Sequence, residues 1–174
     1  RRNRLGSLFT GTQCVGHRAN RSSKKHCCEP TNRCPAHQID IGGFTRIDES
    51  TIWKAISQAE LPIRDWTIRR ETEGIVPELH MYLELSSPYE EGRLTSTLHR
   101  SLKDCDPLYS DLETMLGICP LNVTILSPGT FESFTEMKLK QGASLVGSRP
   151  PRMNPNDEIV GRLVALDRAL TLAA

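Results

Sequence analysis

Two arginines, Arg149 and Arg152, stand in a stretch opened by Gly147 and stiffened by Pro150 and Pro151. Upstream, residues 121–126 have strand texture and Ser127-Pro128-Gly129 makes a turn. Phe131, Phe134 and Met137 then fall on one helical face, with Thr130 as a candidate N-cap and Gly142 as the stop. Strand, helix, then a basic loop is a way to present cations to a phosphate or a carboxylate. The plain alternative is a solvated loop between two helices, because surface arginines are common.

A second set of reactive side chains lies near the N-terminus. Cys14, Cys27, Cys28 and Cys34 accompany His17, His26 and His37. Zinc wants four thiolate or imidazole ligands in a tetrahedron. Cys34-x-x-His37 and the Cys28 to Cys34 spacing offer three, but there is no Cys-x-x-Cys knuckle, and adjacent Cys27 and Cys28 are poorly placed to share one ion. No metal site is expected. A zinc-clipped basic arm binding nucleic acid by phosphate neutralisation is the rival reading. Phe9 is the only aromatic residue there to stack on a base, so nucleic acid is not an expected partner. Nor is a disulfide framework expected without a secretory context. Cys105 and Cys119 read as buried thiols, since neither has a histidine partner at a diagnostic spacing.

The elements that must position these groups begin near residue 37. Residues 1–36 hold eight basic residues against Glu29, a charge of +7, and few large apolar ones. The remaining 14 basic and 20 acidic residues leave −6. The segment 1–36 therefore reads as a basic, Cys-rich linker, poorly ordered in the bland case, and 37–174 as one compact unit. There, 37–43 reads as a strand. Asp48 opens a helix to about Ala59, with Ile47 and Ile52 as a hydrophobic staple. Residues 63–70 and 79–85 read as a hairpin, the second run alternating cleanly. His80 and Glu84 are outward strand residues in this reading. Ser87-Pro88 opens a helix striped by Leu94, Leu98 and Leu102. Asp106-Pro107 opens another, striped by Leu108, Leu112, Met115 and Leu116 and closed by Gly117. A last helix starts near Asn156-Asp157, with Ile159, Leu163, Leu166 and Leu170 on one face. The fold class is α/β, with α+β character: a small mixed sheet of about four strands covered by about five helices.

Several chemistries have no signature here. There is no Gly-x-Gly-x-x-Gly, no Walker lysine and no Ser-His-Asp pattern. No run of 18 apolar residues exists, so no membrane contact is expected. No secretory signal is visible, so the expected location is cytoplasmic, and the sequons at Asn20 and Asn122 are read as chance matches. The chain opens without Met and is expected to be a fragment.

Several words of the sequence resemble the C-terminal end of the acyl-acid amido synthetases of the auxin-responsive Gretchen Hagen type. Pro128-Gly129-Thr130-Phe131, Gly142-Ala143-Ser144 and Pro151-Arg152 match that family's pattern, and Gly147-Ser148-Arg149 stands where it has Gln-Tyr-Lys. Asp106-Pro107-Leu108-Tyr109, Gly117-Ile118-Cys119-Pro120-Leu121 and, loosely, His80, Glu84 and Leu85 fit as well. Arg4-Leu5-Gly6-Ser7 resembles the family's Arg-Leu-Gly-Asp hinge, with Ser7 in place of the ribose-binding Asp. The resemblance covers roughly 37–165, with support at 4–7.

What the resemblance implies is the small C-terminal domain of an adenylate-forming enzyme. The parent would activate a carboxylic acid with ATP and Mg2+ and pass the acyl group to an amino acid. The small domain would close over a large N-terminal adenylating domain, with Arg149 as the catalytic cation, and Ser7 and Arg152 on the nucleotide side. Arginine keeps the lysine's charge but offers a planar fork instead of a point ammonium. Alone, the chain is expected to have neither ligase activity nor a cofactor. The alternative is a non-enzymatic interaction domain derived from that family.

Overall fold

The computed structural model describes residues 37–43, 45–71, 78–117 and 119–173. Ser7, Cys14, Cys27, Cys28 and Cys34, with the rest of 1–36, lie outside them. The described residues form β1 (Gln38–Ile41), β2 (Thr45–Asp48), α1 (Glu49–Ala59), β3 (Ile63–Glu71), β4 (Glu78–Leu85), α2 (Glu91–Cys105), α3 (Pro107–Leu116), β5 (Leu121–Leu126), α4 (Thr130–Lys140) and α5 (Asp157–Ala173).

Helix starts follow local chemistry. The Asp48 carboxylate accepts from the Thr51 N–H at 2.9 Å, and Asp106 accepts from the Tyr109 N–H at 3.0 Å. Each satisfies a backbone donor that the first helical turn leaves without a partner. Ile47 and Ile52 flank the first cap and are both buried, as a staple requires. The opening of α2 differs from expectation. Pro88 lies ahead of the helix, and the N-cap is Glu90, whose side chain makes no capping bond.

The sheet is mixed. Strand order is β3-β4-β5, with β3 antiparallel and β5 parallel to β4; β1 and β2 form a separate antiparallel pair. The expected single sheet is thus two, because Gly42 and Gly43 turn the chain back at positive φ and residues 45–48 pair with 38–41. The β4 alternation decides the layers. Leu79, Met81, Leu83 and Leu85 face one side, joined by Trp66, Ile68, Leu121 and Val123. The stripes of α1 and α2 pack on that side. Tyr82 and Leu126 face the other side, against Phe131 and Phe134 of α4 and Val160 and Leu163 of α5. Helices therefore cover both faces, and polar residues on the second face must find partners between sheet and helix.

The α3 stripe is the clearest departure. Leu108 and Met115 are 56% and 73% exposed, whereas Tyr109 is fully buried beside Leu112. The Tyr109 hydroxyl lies 2.9 Å from Nδ1 of His99 on α2. That contact turns α3 so that one aromatic replaces two aliphatics.

Candidate functional site

The site begins with a defect in β3. Its register against β4 slips between Ile63 and Asp65, leaving Arg64 as an extra residue. A bulge lets consecutive side chains share a side that strand pleating would deny them. Arg64 and Asp65 accordingly both line one cleft. The Arg64 guanidinium meets Glu84 at 3.2 Å and Glu132 at 3.5 Å.

Among the described residues Glu84 is the most deeply placed charge, 1% exposed on the second face of β4. Its carboxylate also accepts from the Phe131 N–H, at 3.3 Å. A buried carboxylate requires such partners. The outward reading of Glu84 therefore fails: α4 covers that face. The Thr130 cap fails with it. The N-cap is Gly129, at φ 89°, and the Thr130 hydroxyl donates to the Ser127 carbonyl at 2.7 Å. Glu84 from the sheet does for α4 what a capping side chain would have done.

Past α4, Gly142 takes φ 86° and ends the helix as expected. The following segment is tied down at its far end. The Ile68 N–H donates to the Arg152 carbonyl and the Asn154 N–H to the Ile68 carbonyl, both at 2.8 Å. The Thr67 hydroxyl donates to the Pro151 carbonyl at 2.6 Å. Residues 152–154 thus extend the sheet at the outer edge of β3, with Met153 bridging Ile68 in parallel.

The two arginines of this segment are placed very differently. Arg152 is half-buried and fully engaged. Its guanidinium pairs with Asp65 at 3.0 Å and approaches Glu49 at 3.7 Å. It also lies 4.8 Å from the Trp53 ring and 5.1 Å from the Trp66 ring, close enough for cation–π attraction. Arg149 is exposed at the rim of the cleft. Among the described residues its guanidinium has neither an ion-pair nor a hydrogen-bond partner.

The cleft encloses about 510 Å³ and is bounded by Arg64, Asp65, Glu84, Phe131, Glu132, Thr135, Glu136, Arg149 and Arg152. Arg64 and Arg152 are spent on carboxylates of this chain, which leaves Arg149 as the unpaired cation of the lining among the described residues. The residues fit the phosphate end of a nucleotide at that one point. They do not make a magnesium site: among the described residues no group of three or more His, Cys, Asp or Glu could hold a metal.

A second polar group lies on the same face of the sheet, away from the cleft lining. Arg69 pairs with Glu71 at 2.9 Å and with Asp157 of α5 at 2.6 Å. His80 stacks on Tyr82 with its Nε2 2.8 Å from the Thr124 hydroxyl and its Nδ1 3.4 Å from Glu71. Burial pushes the His80 pKa below its ordinary value, outweighing the pull of Glu71. His80 is half-buried rather than freely outward. The cysteines separate. Cys105 is half-buried, donates to Gln58 at 3.1 Å, and has its pKa pushed up by burial, which is the opposite of activation. Cys119 is exposed, contrary to its buried reading.

The sequence profile of the GH3 family C-terminal domain matches residues 49–158. The chain belongs to this family. Among solved structures it is similar to "GH3.15 acyl acid amido synthetase", with 19% identity and a TM-score of 0.56, over 70% of this chain and 25% of that one. It is also similar to "AtGH3.15 acyl acid amido synthetase in complex with 2,4-DB", with 19% identity and a TM-score of 0.54, over 70% of this chain and 24% of that one. The likeness is one of fold, and the chain spans about a quarter of the length of those proteins. No curated protein matches it. The GH3 domain here places Arg149 and Arg152 around one cleft, with Ser7 outside the described residues. Sequence reasoning missed Arg64, Asp65 and Glu132. The usable signal was Arg64-Asp65, a charged pair that interrupts strand alternation.

Proposed function

We propose that the chain is the closing C-terminal domain of an ATP-dependent acyl-acid amido synthetase, working in the cytoplasm with residues 1–36 as its hinge. The body that holds acid, nucleotide and Mg2+ is the large N-terminal adenylating domain. Bound ATP and Mg2+ supply the activation of the carboxylic acid, and an amino acid is the acceptor. This domain excludes water on closing and carries a cation to the phosphates. The observation that supports this reading is the position of Arg149: exposed at the cleft rim and unpaired among the described residues, while Arg64 and Arg152 are neutralised. Arg152 then serves by holding the loop. Ser7, if it meets the ribose, offers one neutral hydrogen bond where a carboxylate would offer charge-assisted ones. That is weaker by roughly 1–2 kcal/mol.

The test joins this chain to an adenylating body and measures amide formation. Arg149→Gln should lower the rate by about 10²-fold, the scale for one transition-state donor, and Arg149→Lys should retain activity. An unchanged rate in Arg149→Gln would leave the non-enzymatic interaction domain as the better reading.

A further inference from the structure

Leu145 and Val146 are 79% and 94% exposed, between the end of α4 and Arg149. Loop tips more often carry polar or small residues. This tip is not a loose one. The Gly147 N–H donates to the Ser144 carbonyl at 3.0 Å and approaches its Oγ at 3.2 Å. Ser148, 1% exposed, donates from its hydroxyl to the Leu145 carbonyl at 2.9 Å. On one side the Ala143 N–H holds the Lys138 carbonyl at 3.0 Å; on the other, residues 151–154 are bonded to β3. Two aliphatic side chains are thus held out in water by a prebuilt turn, so burying them would cost little ordering entropy.

We propose that the Leu145–Val146 tip is a docking knob, seated in an apolar recess of the N-terminal adenylating body when the domain closes. The proposal rests on the closing-domain reading above. Two observations choose this occupant. Val146 is three residues from Arg149, so their backbones are separated by at most about 11 Å. A surface that brings a phosphate to Arg149 therefore passes beside the tip. The similar solved chains also extend well beyond the matched region, which is 25% of one and 24% of the other. Most of each lies outside the shared domain and can supply the recess.

The experiment uses the whole of this chain, alone and grafted in place of the matched quarter of GH3.15 acyl acid amido synthetase. Val146→Cys is labelled with a maleimide and read by mass spectrometry of peptide 141–153, which holds no other cysteine. Labelling should be fast in the chain alone and about tenfold slower in the graft supplied with acid, amino acid and ATP-Mg. Equal labelling overturns the knob. The double substitution Leu145→Ser, Val146→Ser should lower amide formation by the graft about tenfold, the scale of an interface hot spot. It should leave the melting temperature of the chain alone unchanged. A graft with undiminished activity overturns the proposal. So does protection in the chain alone that grows with its concentration, because the occupant would then be a second copy. Failure of the closing-domain reading shows separately, as an Arg149→Gln graft that keeps full activity.

Discussion

At the residue scale, the difference between Arg149 and Arg152 is the difference between an available charge and a committed one. Arg152 touches two tryptophan rings and two carboxylates. Arg152→Ala should cost about 2 kcal/mol, adding a desolvated cation–π contact to a lost ion pair, and should shift tryptophan emission, since both tryptophans of the chain flank it. Denaturant unfolding read by fluorescence measures both. Arg149→Ala, by contrast, should leave the unfolding midpoint within about 0.5 kcal/mol of the parent. Glu84→Ala should cost about 1–3 kcal/mol by leaving the Phe131 N–H without its acceptor. The unequal fates of the arginines were not legible in the sequence. Arg149 and Arg152 look alike in a basic, proline-rich run. Only the edge bonds of β3 and the tryptophans from α1 and β3 tell them apart.

At the element scale, the strands and helices were legible where local patterns agree with packing. The 79–85 alternation, the caps at Asp48 and Asp106, and the stop at Gly142 all appear as the sequence suggests. What failed was any inference that needed a neighbour. Glu84 looks outward until α4 is laid over it, and Leu108 and Met115 look internal until Tyr109 takes their place. Gly129 illustrates the same point. It enters α4 at φ 89° with open space where a Cβ would stand. Gly129→Ala should therefore act through backbone strain alone, costing about 1–2 kcal/mol; thermal unfolding measures it. The β3–β4–β5 face gives a pH expectation. The His80 pKa is depressed in the folded state by burial, so the unfolded chain binds the proton more readily. Its contribution to stability is complete above the ordinary histidine value of about 6.5 and is lost as pH falls through the lower folded value. The melting temperature should drop from pH 7 to pH 5, and His80→Gln should flatten that drop.

At the scale of the whole molecule, the described residues supply the parts that the proposed closing role calls for. Two helical layers fix a small sheet. The sheet edge fixes a loop, and the loop presents Arg149 beside a prebuilt apolar tip. Among the described residues there is no metal-binding group of carboxylates and histidines, and no helix is long and apolar enough to cross a membrane. Family membership was legible from a few spaced words, because Pro-Gly-Thr-Phe and Pro-Arg mark a turn and a stitched edge that the fold depends on. If Arg149 stands where the family resemblance sets a lysine, the proposed role has its own consequence. A guanidinium stays charged at every accessible pH, so the alkaline limb of the pH–rate profile should not report a lysine-like group. In Arg149→Lys such a limb should appear, with the joined enzyme assayed from pH 7 to 11.

The most direct measurement is amide product formed from acid, amino acid and ATP-Mg by three preparations: this chain alone, an adenylating body alone, and the two joined in one polypeptide. Full turnover is expected only from the joined form. Amide formation by the chain alone, or by the joined form with Arg149→Gln at the parent rate, would contradict the account.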